Sequence, residues 1–152
     1  MQQRIKIGDQ AKAFKLKDQD DREFQLSDFK GKKVLLSFHP LAWTSVCAEQ
    51  MKSLEAHQDQ FVDLATVPLG LSIDSVPCKK AWAKSLGIEK TRLLCDFWPH
   101  GGVAAAYGLF IERLGISERA NVIIDEDNRV SFVKVYPIKE LPDIEEIIRA
   151  LA

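Results

Sequence analysis

The spacing of apolar positions switches between two periods along this chain, and the switches mark its elements. Val34-Leu35-Leu36-Ser37-Phe38 is a short apolar run, the pattern of a strand buried on both faces, and Pro40 ends it. From about Thr44 to Leu64 the period lengthens. Cys47, Met51, Leu54 and Phe61 recur at helical spacing and share one face. Val67 to Ile73 reads as a second buried strand despite Pro68 near its start. Asp74 and Ser75 are cap residues for a helix from Val76 to Leu86, which Gly87 stops. Leu93-Leu94-Cys95 predicts a brief strand, and Val103 to Tyr107 a short helix after Gly101-Gly102. Ala120 to Ile124 and Val130 to Tyr136 are strands joined by the turn residues Asp125-Glu126-Asp127-Asn128. A last helix starts near Pro142, with Ile144, Ile147, Ile148 and Leu151 on one side. Near the other end, Phe14 to Asp18 and Glu23 to Leu26 flank Gln19-Asp20-Asp21 as a hairpin. Lys12, Lys15 and Lys17 alternate there as on an edge strand, and Ser27 to Gly31 predicts a single helical turn. Strands alternating with helices, then a hairpin and a helix, predict an α/β fold with a mixed sheet.

Size and charge narrow the function classes. A chain of 152 residues is expected to form one domain over 1–152. At that size roughly 68–70% of the unfolded surface is buried, enough for a core without staples. The net charge of −1 gives no pull toward nucleic acid or anionic lipid. No apolar run approaches the ~20 residues of a membrane span, and Met1 to Gly8 lacks the apolar stretch of a secretory signal. The three cysteines, Cys47, Cys78 and Cys95, are an odd number at no metal-site spacing. That suits a reactive thiol in a reducing cytoplasm better than a disulfide scaffold. No P-loop, dinucleotide fingerprint or H-E-x-x-H pair occurs, so neither cofactor nor metal is expected.

The candidate chemistry centres on Cys47, which falls just after a buried strand in the first turn of a helix. Unpaired backbone N–H groups and the positive end of the helix dipole both favour thiolate there. Position alone leaves a second reading open, that of a small buried core residue. Thr44 stands three residues earlier, so its hydroxyl can donate to the thiolate or accept from a peroxide. Pro40 fixes the chain entering the helix and can shield the sulfur.

The pattern Pro40-Leu41-Ala42-Trp43-Thr44-Ser45-Val46-Cys47, P-x-x-x-T-x-x-C, resembles the active-site signature of the peroxiredoxins. With Phe38 and His39 ahead of it, the string is most similar to the one-cysteine E-type alkyl hydroperoxide reductases of that family. Gly31 to Leu36, Ile73-Asp74-Ser75 with Ala81-Trp82, Asp96 to Gly101 and Ala106-Tyr107-Gly108 extend the likeness over nearly the whole chain. Arg119, opening a strand, matches the family's active-site arginine. The resemblance implies a thioredoxin-like fold, a homodimer, and reduction of hydrogen peroxide and organic hydroperoxides through a sulfenic acid at Cys47. An external thiol, a thioredoxin-like protein or a small thiol, would then reduce the enzyme, a role in antioxidant defence.

The residues suit that chemistry. Breaking a peroxide O–O bond pushes charge onto the leaving oxygen, and Thr44, Arg119 and the N–H groups of Val46 and Cys47 are donors that can surround it. Gln50 departs from a family glutamate that could pair with an arginine. His39 departs from a common tyrosine; it can hydrogen-bond peroxide, orient the cysteine, or simply pack at the strand end. Trp82 reads as core near the pocket, Trp43 and Trp98 as pocket rim or subunit interface, His57 as solvent-facing, and His100 has no assigned chemistry. Cys95 reads as buried and inert. Cys78, at a helix N-terminus that can make it nucleophilic, is the remaining candidate for a resolving cysteine, although a one-cysteine mechanism is preferred. A thiol–disulfide oxidoreductase would require C-x-x-C, where this chain has Thr44 in the first position. A zinc or copper module would require paired ligands. A chaperone-like assembly is a second role compatible with the composition.

Overall fold

The computed structural model describes residues 3–152. In chain order the strands are β1 (Lys15–Lys17), β2 (Glu23–Gln25), β3 (Lys33–Phe38), β4 (Thr66–Ser72), β5 (Arg92–Cys95), β6 (Phe110–Ile111), β7 (Ile116–Ser117), β8 (Arg119–Ile124) and β9 (Val130–Tyr136). The helices are α1 (Ser45–Ala56), α2 (Gln58–Asp63), α3 (Val76–Leu86), α4 (Gly102–Ala106) and α5 (Ile144–Leu151). A mixed sheet is ordered β2-β1-β5-β4-β3-β8-β9, and β6 pairs separately with β7. β3, β4 and β5 run parallel, so helical crossovers must join them. The segment α1–α2 makes the first crossover and α3 the second.

Side-chain alternation along the central strands divides the interior into two cores. Val34, Leu36 and Phe38 of β3 join Leu69 and Leu71 of β4, Ala120, Val122 and Ile124 of β8, and α4 on one face. Leu35, Leu93 and Ile123 join Cys47, Met51 and Leu54 of α1, Trp82 of α3 and Ile147 of α5 on the other. The same parity sends Ser37, Gly70, Cys95 and Arg119 toward α1 and α3. A Cβ at Gly70 would overlap the Met51 sulfur, so glycine is what lets α1 lie close on β4.

Three expectations change. The helix expected from Thr44 to Leu64 is two helices, because His57 leaves helical geometry (φ −107°, ψ 17°). Its ring Nδ1 donates to the Ser53 carbonyl at 2.8 Å, and its Nε2 lies 3.8 Å from Glu145 of α5. His57 is therefore a half-buried junction residue rather than a solvent-facing one. The sheet edge is β2, not the lysine-bearing β1, which pairs with β2 and also with β5 at Lys17. The small β6–β7 hairpin was not foreseen; at two residues per strand it is too short for any periodicity to register.

Candidate active site

The site forms where β3 stops. Pro40 is buried just past the strand, and the loop that follows turns through a left-handed Trp43 (φ 69°). Asp74, expected to help cap α3, instead holds this loop. Its carboxylate accepts from the Ala42 N–H at 2.9 Å and from the Ser72 hydroxyl, and Ser75 caps α3 alone, accepting from Cys78 N–H. Thus anchored, the loop delivers Thr44 as the N-cap of α1 with Cys47 in its first turn.

Thr44 does not cap with its side chain. The hydroxyl donates to the Leu41 carbonyl at 2.7 Å, so its remaining capacity is as an acceptor. The N–H groups of Ser45, Val46 and Cys47 therefore lack an intrahelical acceptor and sit at the positive end of the helix. Cys47 itself is fully buried. Arg119, also buried, places Nη1 3.4 Å from its sulfur and 2.7 Å from Gln50 Oε1. The rest of the guanidinium fork is fixed by the Ile138 carbonyl, which accepts from Nε at 2.9 Å and Nη2 at 2.7 Å. Gln50 is oriented in turn, donating to Ser37 Oγ at 2.7 Å and to the Phe38 carbonyl at 3.2 Å. The amide thus performs the orienting task expected of a glutamate, without adding a negative charge. Among the described residues no carboxylate comes within ion-pair reach of Arg119. A buried cation without an anion is costly, and a thiolate formed at Cys47, 3.4 Å away, would supply one.

His39 is fully buried, and both ring nitrogens are engaged. Nδ1 faces the Ser37 carbonyl at 3.4 Å and Nε2 accepts from Lys79 Nζ at 2.7 Å. Neither nitrogen is left over for a peroxide, so the hydrogen-bonding role considered for His39 does not fit this geometry. Its ring lies 5.5 Å from that of Trp82, which is core as expected. Burial, and then the Lys79 and Arg119 charges, hold the imidazole well below its usual 6.5 and keep it neutral. The unfolded chain therefore takes up a proton below about pH 6.5 that the native chain refuses. Native stability should fall by about 1 kcal/mol from this group between pH 6.5 and roughly 5.5. Urea unfolding at the two values checks this, with His39→Gln expected to show the shallower dependence.

Lys79 is the site residue that sequence reasoning missed. The signal was present: Lys79 shares a helical face with Trp82, Ala83 and Leu86, a stripe that is otherwise apolar. The other two cysteines are held as thiols. Burial pushes Cys95 up to about 12. Cys78 is raised by burial and then by the Asp74 carboxylate, to which its Sγ donates at 3.7 Å. The nucleophilic helix N-terminus expected for Cys78 is thus outweighed. Trp43 and Trp98 are largely exposed, and His100 Nε2 donates to the Gly115 carbonyl at 2.7 Å.

Comparison with known proteins matches this arrangement to one family. The model of the AhpC/TSA family matches residues 7–133. Alkyl hydroperoxide reductase E of Mycobacterium tuberculosis is 35% identical over 140 residues, covering 91% of each chain. A thiol peroxidase of Streptococcus agalactiae is 30% identical over 130 residues, 86% of this chain and 77% of that one. The crystal structure of a reduced 2-Cys peroxiredoxin from Plasmodium vivax superimposes with a TM-score of 0.86 at 30% identity, covering 95% of this chain and 79% of that one. With a mixed sheet in the thioredoxin-like arrangement and a cysteine at the head of α1 facing a buried arginine, the chain belongs to the AhpC/TSA family and is a peroxiredoxin, a thiol-dependent peroxidase.

Proposed function

We propose that the chain reduces hydrogen peroxide and organic hydroperoxides at Cys47 and is returned to the thiol by an external reductant. The observation that carries this reading is the Arg119 guanidinium 3.4 Å from a buried sulfur at the open first turn of α1. The thiolate attacks the terminal peroxide oxygen. An S–O bond forms as the O–O bond breaks, sulfur loses two electrons, and the distal oxygen leaves as hydroxide or alkoxide and takes a proton. The Val46 and Cys47 N–H groups and Arg119 are donors for the oxygen that gains charge. Thr44, its own proton committed to Leu41, accepts from the peroxide O–H and fixes the direction of approach.

The sulfenic acid is proposed to await a thioredoxin-like protein or a small thiol. Cys78 is raised by burial and then by the Asp74 carboxylate, which favours its unreactive thiol form. The exposed Trp43, Phe97 and Trp98, at 57%, 53% and 80%, support a homodimer that would cover such rings. No described helix is long and apolar enough to cross a membrane. A cytoplasmic antioxidant role is the setting proposed for this chemistry.

Turnover tests the reading. Purified protein with dithiothreitol is expected to consume many equivalents of hydrogen peroxide and of cumene hydroperoxide, and about one equivalent without thiol. Cys78→Ser is expected to leave the dithiothreitol-supported rate unchanged. Oxidised wild type that has lost two hydrogens, with Cys47 joined to Cys78 in the peptide map, would replace the one-cysteine mechanism with a resolving role for Cys78.

A further inference from the structure

Lys79 is fully buried, yet no carboxylate among the described residues lies within ion-pair distance of its amino group. Nζ donates to the neutral His39 ring at 2.7 Å and lies 5.3 Å from the centre of the Trp82 ring. Burying an ammonium against a neutral acceptor is costly, and a purely structural position would be better served by an apolar side chain. His39 in turn packs near Met51, one turn beyond Cys47 on α1, across the bare Cα of Gly70. Trp82 and Cys47 belong to the same core.

We propose that Lys79 is a positioning residue of the peroxidase site, a second buried cation, held by His39, that is coupled to the Cys47 thiolate from the α3 side. The inference rests on the reading of Cys47 as the peroxide nucleophile. The titratable and charged groups around the amine come from every packed element: His39 after β3, Cys47 on α1, Asp74 and Cys78 at the start of α3, and Cys95 on β5. Arg119 of β8 acts on His39. Burial lowers the amine to about 8, against the pull of these anionic forms. Cys78 and Cys95 are held as thiols, so they carry no charge at that pH. Asp74 exerts the largest of these pulls and takes no part in the peroxide chemistry. Cys47 is therefore the group whose charge the reaction changes, since attack by its thiolate leaves a neutral sulfenic acid.

Coupling of this kind is reciprocal: the thiolate holds the Lys79 proton by the same factor as the Lys79 charge holds the thiolate. Two measurements read the two sides. The first is the pH profile of Cys47 oxidation by hydrogen peroxide, followed by stopped flow in wild type and Lys79→Met. The pH of half-maximal rate is expected to move up by at least about 0.7 unit, the fivefold lower end of usual coupling, while the plateau rates converge. A residue that only supports the fold would slow the reaction equally at all pH. The second is the titration of the Lys79 Cε resonance in lysine-labelled protein, assigned by its loss in Lys79→Arg. Its midpoint is expected to fall in Cys47→Ser by the same amount. An unchanged Lys79 midpoint in Cys47→Ser overturns the proposal, as does a Lys79→Met profile parallel to wild type. If Lys79→Met does not fold, the resonance comparison decides alone. A shifted midpoint in a wild type that consumes no peroxide would support the coupling and count against the peroxidase reading.

Discussion

Replacing Cys47 with serine is expected to abolish peroxide consumption, with a loss on the order of 10⁴–10⁶ as for removal of other enzymatic nucleophiles. Serine keeps the size and position of the side chain, so the Arg119 fork, still held by Ile138 and Gln50, has no reason to move. What is lost is ionisation. A serine hydroxyl stays protonated at working pH, and neutral oxygen is a poor nucleophile toward peroxide, whereas the thiolate form of cysteine is a strong one. Cys95→Ser is the matched control. Cys95 is buried on β5 and is pushed up to about 12, so no thiolate forms there at working pH, and turnover should stay near that of wild type. Peroxide loss followed with dithiothreitol as reductant measures both. Normal turnover by the Cys47→Ser protein would mean that the chemistry lies elsewhere.

The second large effect is expected from the donors around the sulfur. Arg119→Met and Thr44→Val should each slow Cys47 oxidation by about 10²–10³, or roughly 2.7–4 kcal/mol of transition-state stabilisation. Methionine keeps much of the arginine's length but removes the guanidinium that lies 3.4 Å from the sulfur. It also leaves the Ile138 carbonyl and Gln50 Oε1 without their donor, so this variant should be the slower of the two. Valine keeps the shape of Thr44 and removes its acceptor, so peroxide loses its orientation rather than its charge stabilisation. Stopped-flow measurement over a range of peroxide concentrations separates the two losses. Unchanged rates in both variants would assign the whole effect to the first-turn N–H groups of α1.

Most of this site was legible in the sequence because its parts are local. A buried strand ended by Pro40, a helix opening at Thr44 and a cysteine three residues on are adjacent in the chain, and local geometry carries them into place. Arg119 was found only by family likeness, since its approach depends on β8 pairing with β3 in the register Ala120 to Phe38. Periodicity marks a strand but not its neighbour. Gln50 is explained by the same long-range pairing: its orientation comes from Ser37 and Phe38 of β3, which no spacing argument joins to an amide on α1. Lys79 lay on a readable helical stripe, yet a lysine is ordinarily taken to be at the surface. His39 followed from that omission, because its ring is occupied by the partner that was overlooked. The break at His57 depends on contacts with α5, more than eighty residues away, so it left no mark on the apolar spacing of α1 and α2.

The most direct test is intact mass spectrometry of reduced protein given one equivalent of hydrogen peroxide without thiol, followed by dimedone labelling and peptide mapping. The account predicts a gain of one oxygen that dimedone traps on the peptide containing Cys47, with Cys78 and Cys95 still reduced. No mass change at Cys47, or dimedone on Cys78 or Cys95 instead, would contradict it.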